Sequence, residues 1–339
     1  MAQKSFTRRR LLTGAVSSSL FYAQTRLLGS KAQMSKGERV KAALQGERVD
    51  RVPFTFWHHF GLEKLPGEKH AEATVAFYRK YDVDLLKVMS DYPYPLPEGV
   101  EKISSLEDWQ KLEPLKSPFP EQIRALRLIN KEIKGQAPFV ETIFQSWTVA
   151  EKLATKKDVM YLKEQDPKLL KRVLRTISES QANHARAALE AGASGVFLAV
   201  AAADAFIMDP PEYLRLVRES DLIILDSVRE RSRLNILHIH GKKPHLEMLV
   251  TYPVQVMNYS VSDTGMDLVA ARRKFTGTLM GGLNEGRLAA QTTDEIAAEI
   301  HEGERSMQKR RFILSPGCSV PNDIADAPLT TVRTVVQSG

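Results

Sequence analysis

The 339-residue sequence predicts an α/β fold, a single-domain (β/α)8 barrel of the TIM type. Short apolar runs rich in β-branched and aromatic residues alternate with longer stretches of helical period, the order that builds a parallel sheet. Eight such runs fall within roughly 290 residues, the size and count of one closed barrel. The alternative, an open doubly wound sheet, loses its main support because no Gly-x-Gly-x-x-Gly follows the first run.

The runs can be taken in chain order. The first is RVPFTFW, residues 51–57. HAEATVAFYRKY, residues 70–81, has helical spacing and leads into DVDLLKVM, residues 82–89. SDYPYPLPEG, residues 90–99, is a proline-rich loop. PFVETIF, residues 138–144, is the third run. A long helical stretch over residues 166–192 opens on Asp-Pro, a cap followed by proline in the first turn, and precedes SGVFLAV, residues 194–200. Residues 210–232 start on paired prolines and lead to LNILHI, residues 234–239. VQVMNY (254–259) and TGTLMGG (276–282) are the sixth and seventh runs. A helix over 292–310, opened by paired threonines, precedes the eighth run, RFILSP, residues 311–316. No repeat, low-complexity tract or interdomain linker interrupts this order, and no apolar run reaches the eighteen residues of a lasting membrane span.

Residues 1–32 stand apart as a leader, and the barrel occupies residues 33–339. The leader holds Lys4, Arg8, Arg9, Arg10, Arg26 and Lys31 and no acidic residue. These six charges account for nearly all of the net charge of +7, so the body is close to neutral and carries no electrostatic footprint for nucleic acid. TRRRLL followed by a mildly apolar Ser/Gly/Ala-rich stretch resembles a twin-arginine export signal, with SKA at 30–32 as a cleavage site. The expectation is export to the periplasm; a basic amino-terminal tail is the alternative. The chain has one cysteine, Cys318, and so no intrachain disulfide. An unpaired thiol in an exported protein calls for burial or metal ligation.

In a barrel, chemistry sits at the carboxyl ends of the strands. Those ends carry His58 and His59, Asp91, Glu141 and Gln145, His238 and His240, Asn258, Asn284 and Cys318. His238 and His240 are two apart on one strand and project together, after which Gly241 lets the chain turn. Two imidazoles and a thiolate make a donor set suited to Zn²⁺ with one position left open. The alternatives are hydrogen-bonded polar lining for the histidines and a small buried hydrophobe for Cys318. Asp91 is either a carboxylate aimed at substrate or a turn cap. His58 and His59 point to opposite sides of a strand, so at most one of them faces the mouth.

From residue 35 onward the chain resembles the uroporphyrinogen decarboxylase family, which includes zinc-dependent methyltransferases that act on methylcobalamin and a thiol. The resembling stretches are RVPFTFW, YDVDLLKVMSDYPYP, LHIHG, YPVQVMNYSVSDTGMDLVAARRKF, LMGGLNEG and ILSPGCSVPNDIADAPLTTV. The resemblance implies a (β/α)8 barrel, a small-molecule substrate and a dimer. The decarboxylases have an arginine-rich motif after the first strand, but here no arginine occurs between Arg51 and Arg79. Their aspartate after the second strand matches Asp91, and their histidine after the last strand is replaced by Cys318. The methyltransferase branch has a His-x-Cys pair and a later Cys as zinc ligands. HIHG and PGCS match these in place, with His240 standing for a cysteine.

The expectation is therefore a zinc site of His238, His240 and Cys318, with Glu141 or water as the remaining ligand. Asp91 would be catalytic, and His58, Gln145, Asn258 and Asn284 would line the substrate. The methyl donor would be a corrinoid, or a corrinoid protein as partner, and the acceptor a small thiol or oxygen compound. Metal-free decarboxylation of tetrapyrrole carboxylates and a non-catalytic exported ligand-binding barrel are the two alternatives.

Overall fold

A computed structural model describes residues 33–339, so the leader and its export signal lie outside the described residues. Seven strands form one parallel sheet whose spatial order follows the chain. They are β1 (Leu86–Val88), β2 (Phe139–Phe144), β3 (Gly195–Val200), β4 (Ile236–Ile239), β5 (Val256–Tyr259), β6 (Thr278–Leu283) and β7 (Phe312–Pro316). Helices link them, the alternation expected of a TIM-like α/β fold.

The first expected run, residues 51–57, forms no strand. It makes one parallel bridge, Phe54 with Leu314. The Thr55 N–H donates to the Leu314 carbonyl at 3.0 Å, and the Leu314 N–H donates to Pro53 at 2.8 Å. On its other side the Asp84 N–H donates to the Phe54 carbonyl at 3.0 Å. The segment thus lies between β7 and β1, but its ladder cannot extend. Pro53 has no N–H to give, and the Phe54 N–H is taken by the Asp84 carboxylate at 3.1 Å. The same carboxylate is gripped by Arg39 at 2.6 Å and Arg51 at 2.5 Å, all three side chains being buried.

Period-2 alternation divides the core in two. Leu85, Met89, Val140, Phe197, Ile236, Val256, Met280 and Ile313 pack together inside the sheet, closed at the amino-terminal end by Val40, Ala42 and Ala43 of the helix Lys36–Gln45. A Ser35–Glu38 capping box starts that helix. The intervening strand residues, such as Val88, Ile143, Leu198 and Ile239, face the outer helices.

Of the expected helices, Gly67–Tyr81, Pro167–Glu190 and Thr293–Met307 form, capped by Asp166 and Thr292 in the last two. The expected helix over 210–232 is two, Pro210–Leu216 and Arg218–Asp226, divided at Val217. Pro120–Ile133, Ser146–Leu153, Lys156–Gln165 and Asp326–Ser338 are further helices. No helix among the described residues is long and apolar enough to cross a membrane.

Candidate metal centre

His238 and His240 project from the carboxyl end of β4, and Cys318 from the loop after β7. Their donor atoms all lie within 4.8 Å of one another. The Cys318 sulfur is 4.0 Å from His240 Nδ1. Ligands on a tetrahedral zinc with ordinary bond lengths are about 3.3–3.6 Å apart, so small side-chain adjustments would close this set on an ion.

Two glycines allow the approach. Gly241 has φ +130°, and a Cβ there would meet Asp204 Oδ2 at 2.2 Å. A Cβ on Gly317 would meet the Ser260 Cα at 2.2 Å, so only glycine lets the chain before Cys318 pass the end of β5.

The centre is oriented from behind. Asn258 is fully buried, and its amide nitrogen donates to the carbonyls of Met280 (3.0 Å) and Pro316 (3.1 Å). That fixes Oδ1 as the acceptor facing His238, whose Nδ1–H donates to it at 2.6 Å. His238 Nε2 is left with its lone pair free to ligate, the arrangement that outer partners impose on metal-ligating histidines. Asn258 lines neither cavity, and its side chain is engaged in holding the His238 tautomer. Asn258→Ala should weaken zinc binding about 10–100-fold, read by competition with a chromogenic chelator.

Burial pushes the Cys318 thiol up, but hydrogen bonds and charge from His238 and His240 outweigh it and bring it down to about 4. The His240 imidazole is correspondingly raised by Cys318, against the effect of its burial. An ordinary thiol loses its thiolate below about pH 8.5. Alkylation of Cys318 by iodoacetamide in zinc-free protein should instead stay nearly constant from pH 8 to pH 6 and fall only as the pH approaches 4. A rate that halves near pH 8.5 would contradict this electrostatic picture.

The three donors line a cavity of about 210 Å³ at the strand ends, together with Trp57, His59, Lys87, Thr142, Phe144 and Phe197. A second cavity of about 160 Å³ shares Thr142 and Phe144 with it and includes Asp91. No arginine lines either one. A concavity of about 910 Å³ lies outside against Pro167–Glu190 and Arg218–Asp226 and holds none of the strand-end residues.

The remaining expected site residues separate clearly. Asp91 accepts a 2.6 Å hydrogen bond from His59 Nδ1, which leaves His59 Nε2 as an acceptor on a ring that lines the larger cavity. Burial raises the Asp91 carboxyl, but His59, Lys87 and His70 together hold it below its usual range. Its second oxygen is buried with no partner among the described residues.

His58 is not in the cavity. Its ring packs edge-on against Phe60 and Phe77, and the mouth histidine is His59. Glu141 is not beside the three donors. It alternates with the inward Val140 and Thr142, so it faces the helices, where Gln122 (2.9 Å) and His184 (2.8 Å) occupy its oxygens.

Gln145 is buried, its amide donating to Tyr213 and Asp221 at 3.0 Å and its oxygen accepting from Ala201 and Ala202, so no polar atom is left for substrate. Asn284 closes a turn by accepting from Gly286 N–H at 3.1 Å and lines neither cavity. Sequence reasoning missed Lys87, although strand parity with Met89 and Asp91 aims it inward.

A family model described as uroporphyrinogen decarboxylase (URO-D) matches residues 64–338. No curated protein matches the chain. Among solved structures, a methyltransferase from Methanosarcina mazei is similar with a TM-score of 0.72 at 18% identity, over 90% of this chain and 99% of that one. A B12-independent methionine synthase from Shewanella sp. W3-18-1 is similar with a TM-score of 0.55 at 12% identity, over 85% and 94%. A putative vitamin-B12-independent methionine synthase from Listeria monocytogenes gives 0.54 at 12%, over 86% and 95%. At these identities the likeness is one of fold.

Proposed function

The chain belongs to the uroporphyrinogen decarboxylase family, and within it we propose a zinc-dependent methyl- or alkyltransferase that acts on a small thiol or oxygen nucleophile. The observation that carries this reading is the convergence of His238, His240 and Cys318 at the strand ends, on a cavity of about 210 Å³. The donor chemistry fits zinc: one soft thiolate, two neutral imidazoles, and a tautomer fixed by Asn258. A bound zinc ion would supply Lewis acidity that lowers the pKa of a thiol or hydroxyl at its open position.

The chain's own groups do the rest. His238 is held by Asn258 so that its Nε2 faces the centre. Asp91 fixes the His59 ring, whose Nε2 can accept a hydrogen bond from the substrate and orient it. Trp57, Phe144 and Phe197 line the cavity and exclude water from the reacting nucleophile.

The cavity's size and charge favour a small acceptor over a tetrapyrrole. Drug-sized ligands fill pockets of about 300–1,000 Å³, and a substrate with many carboxylates calls for arginine forks that neither cavity has. The methyl donor in this reading is a corrinoid, free or carried on a partner protein. The Listeria and Shewanella neighbours are described as B12-independent, so the fold alone does not require one. Export through the twin-arginine leader and cleavage after residue 32 are part of the same proposal.

The experiment is incubation of the zinc-loaded protein with methylcobalamin and a panel of small thiols and alcohols. Loss of the methylcobalamin absorbance, abolished by a chelator, is the expected result. Chelator-insensitive decarboxylation of a porphyrinogen would overturn the reading.

A further inference from the structure

Lys87 is a buried lysine with no carboxylate partner among the described residues. It lies on β1 with its side chain inside the sheet, 5% exposed. Its amine touches the Met89 sulfur and sits 4.8 Å from the Phe197 ring centroid and 5.3 Å from that of Trp57. It lines the same cavity as His238, His240 and Cys318. Phe197 joins the two groups, because the His238 imidazole stacks on its ring at 5.2 Å. Lysines are almost never buried unless paired, and keeping one among aromatic rings costs stability. Such a cost points to work done in the cavity.

We propose that Lys87 accepts the proton that the substrate's thiol or hydroxyl gives up at the His238–His240–Cys318 centre. The S–H or O–H bond breaks, its electron pair stays on the substrate atom, and the proton forms an N–H bond on Nζ. Thiolate and ammonium replace thiol and amine, with no net charge brought into the cavity. The faces of Phe197 and Trp57 then stabilise the new cation.

Burial pushes the amine down to about 7, against the opposing pull of Cys318, Asp91 and Glu141. The charged groups that act on it are therefore Cys318 after β7, Asp91 after β1 and, from the helix-facing side of β2, Glu141, with His59, His238 and His240 around the cavity. The inference rests on the metal reading of the same centre.

The test is calorimetric titration of the zinc-loaded full chain with 2-mercaptoethanol, an uncharged probe, in two buffers of different ionisation enthalpy. The difference between buffers counts the protons released on binding. At pH 8 the wild type should release close to none, because Lys87 is free to take the proton, and Lys87→Met should release about one. Below about pH 6 Lys87 is already charged, and both proteins should release about one. Lys87→Met also removes a buried unpaired amine, so its melting temperature should be equal to or above the wild type, whereas a structural lysine would lower it. Equal proton release by the two zinc-loaded proteins at pH 8 would overturn the role of Lys87 alone. Failure of the wild type to hold zinc would overturn the metal reading, and this inference with it.

Discussion

Cys318→Ala is expected to weaken zinc binding by more than 100-fold, and His240→Ala to do nearly as much. Each removes one of three donors, and loss of an outer partner such as Asn258 alone costs about 10–100-fold. The thiolate is the only formally anionic donor in the set. Its loss leaves two neutral imidazoles to hold a divalent cation, so the alanine at 318 should be the more severe change. The purified variant should carry less than about a tenth of an equivalent of zinc and show no thiol-dependent methyl transfer. It should unfold like the wild type in the absence of metal, since Cys318 is half-buried on a loop. Metal content unchanged in both variants would mean that the donors do not act together.

Asp84→Ala should be the most damaging single change to stability. Asp84 is fully buried and accepts from Arg39 at 2.6 Å, from Arg51 at 2.5 and 3.1 Å, and from the Phe54 N–H at 3.1 Å. Arg39 keeps Asp50 at 2.7 Å. Among the described residues Arg51 keeps only the Val52 carbonyl, at 3.3 Å. Breaking a buried pair from one side leaves an uncompensated charge and costs about 3–5 kcal/mol. The same substitution orphans the Phe54 N–H at the seam between β7 and β1. Urea unfolding should show that loss at nearly unchanged m, with Asp84→Asn intermediate because it keeps the shape and one acceptor. A loss below about 1 kcal/mol would show that the seam does not depend on this carboxylate.

Much of the fold was legible because seven of the eight apolar runs are strands whose alternation and flanking helices obey local rules. The first run was not, because its pairing depends on Pro53 and on a carboxylate thirty residues away, which no window of sequence reveals. The helices Pro120–Ile133 and Ser146–Leu153 were not singled out among the linking segments.

Within the site, His-x-His on one strand was readable from period 2 alone. The same parity, applied to β2 and β1, separates Glu141 from the inward Thr142 and aims Lys87 into the cavity. It likewise makes His59, not His58, the mouth residue. Gln145, Asn258 and Asn284 could not be sorted this way. Gln145 and Asn258 are fixed by backbone groups from other strands and loops, and Asn284 by the turn it closes with Gly286.

The most direct measurement of the central claim is anomalous diffraction collected on both sides of the zinc absorption edge from crystals of the purified protein. One strong peak is expected, present only above the edge, within about 2.0–2.4 Å of His238 Nε2, a His240 ring nitrogen and the Cys318 sulfur. No zinc-specific peak among these three side chains, in protein purified without chelator and supplied with zinc, would contradict it.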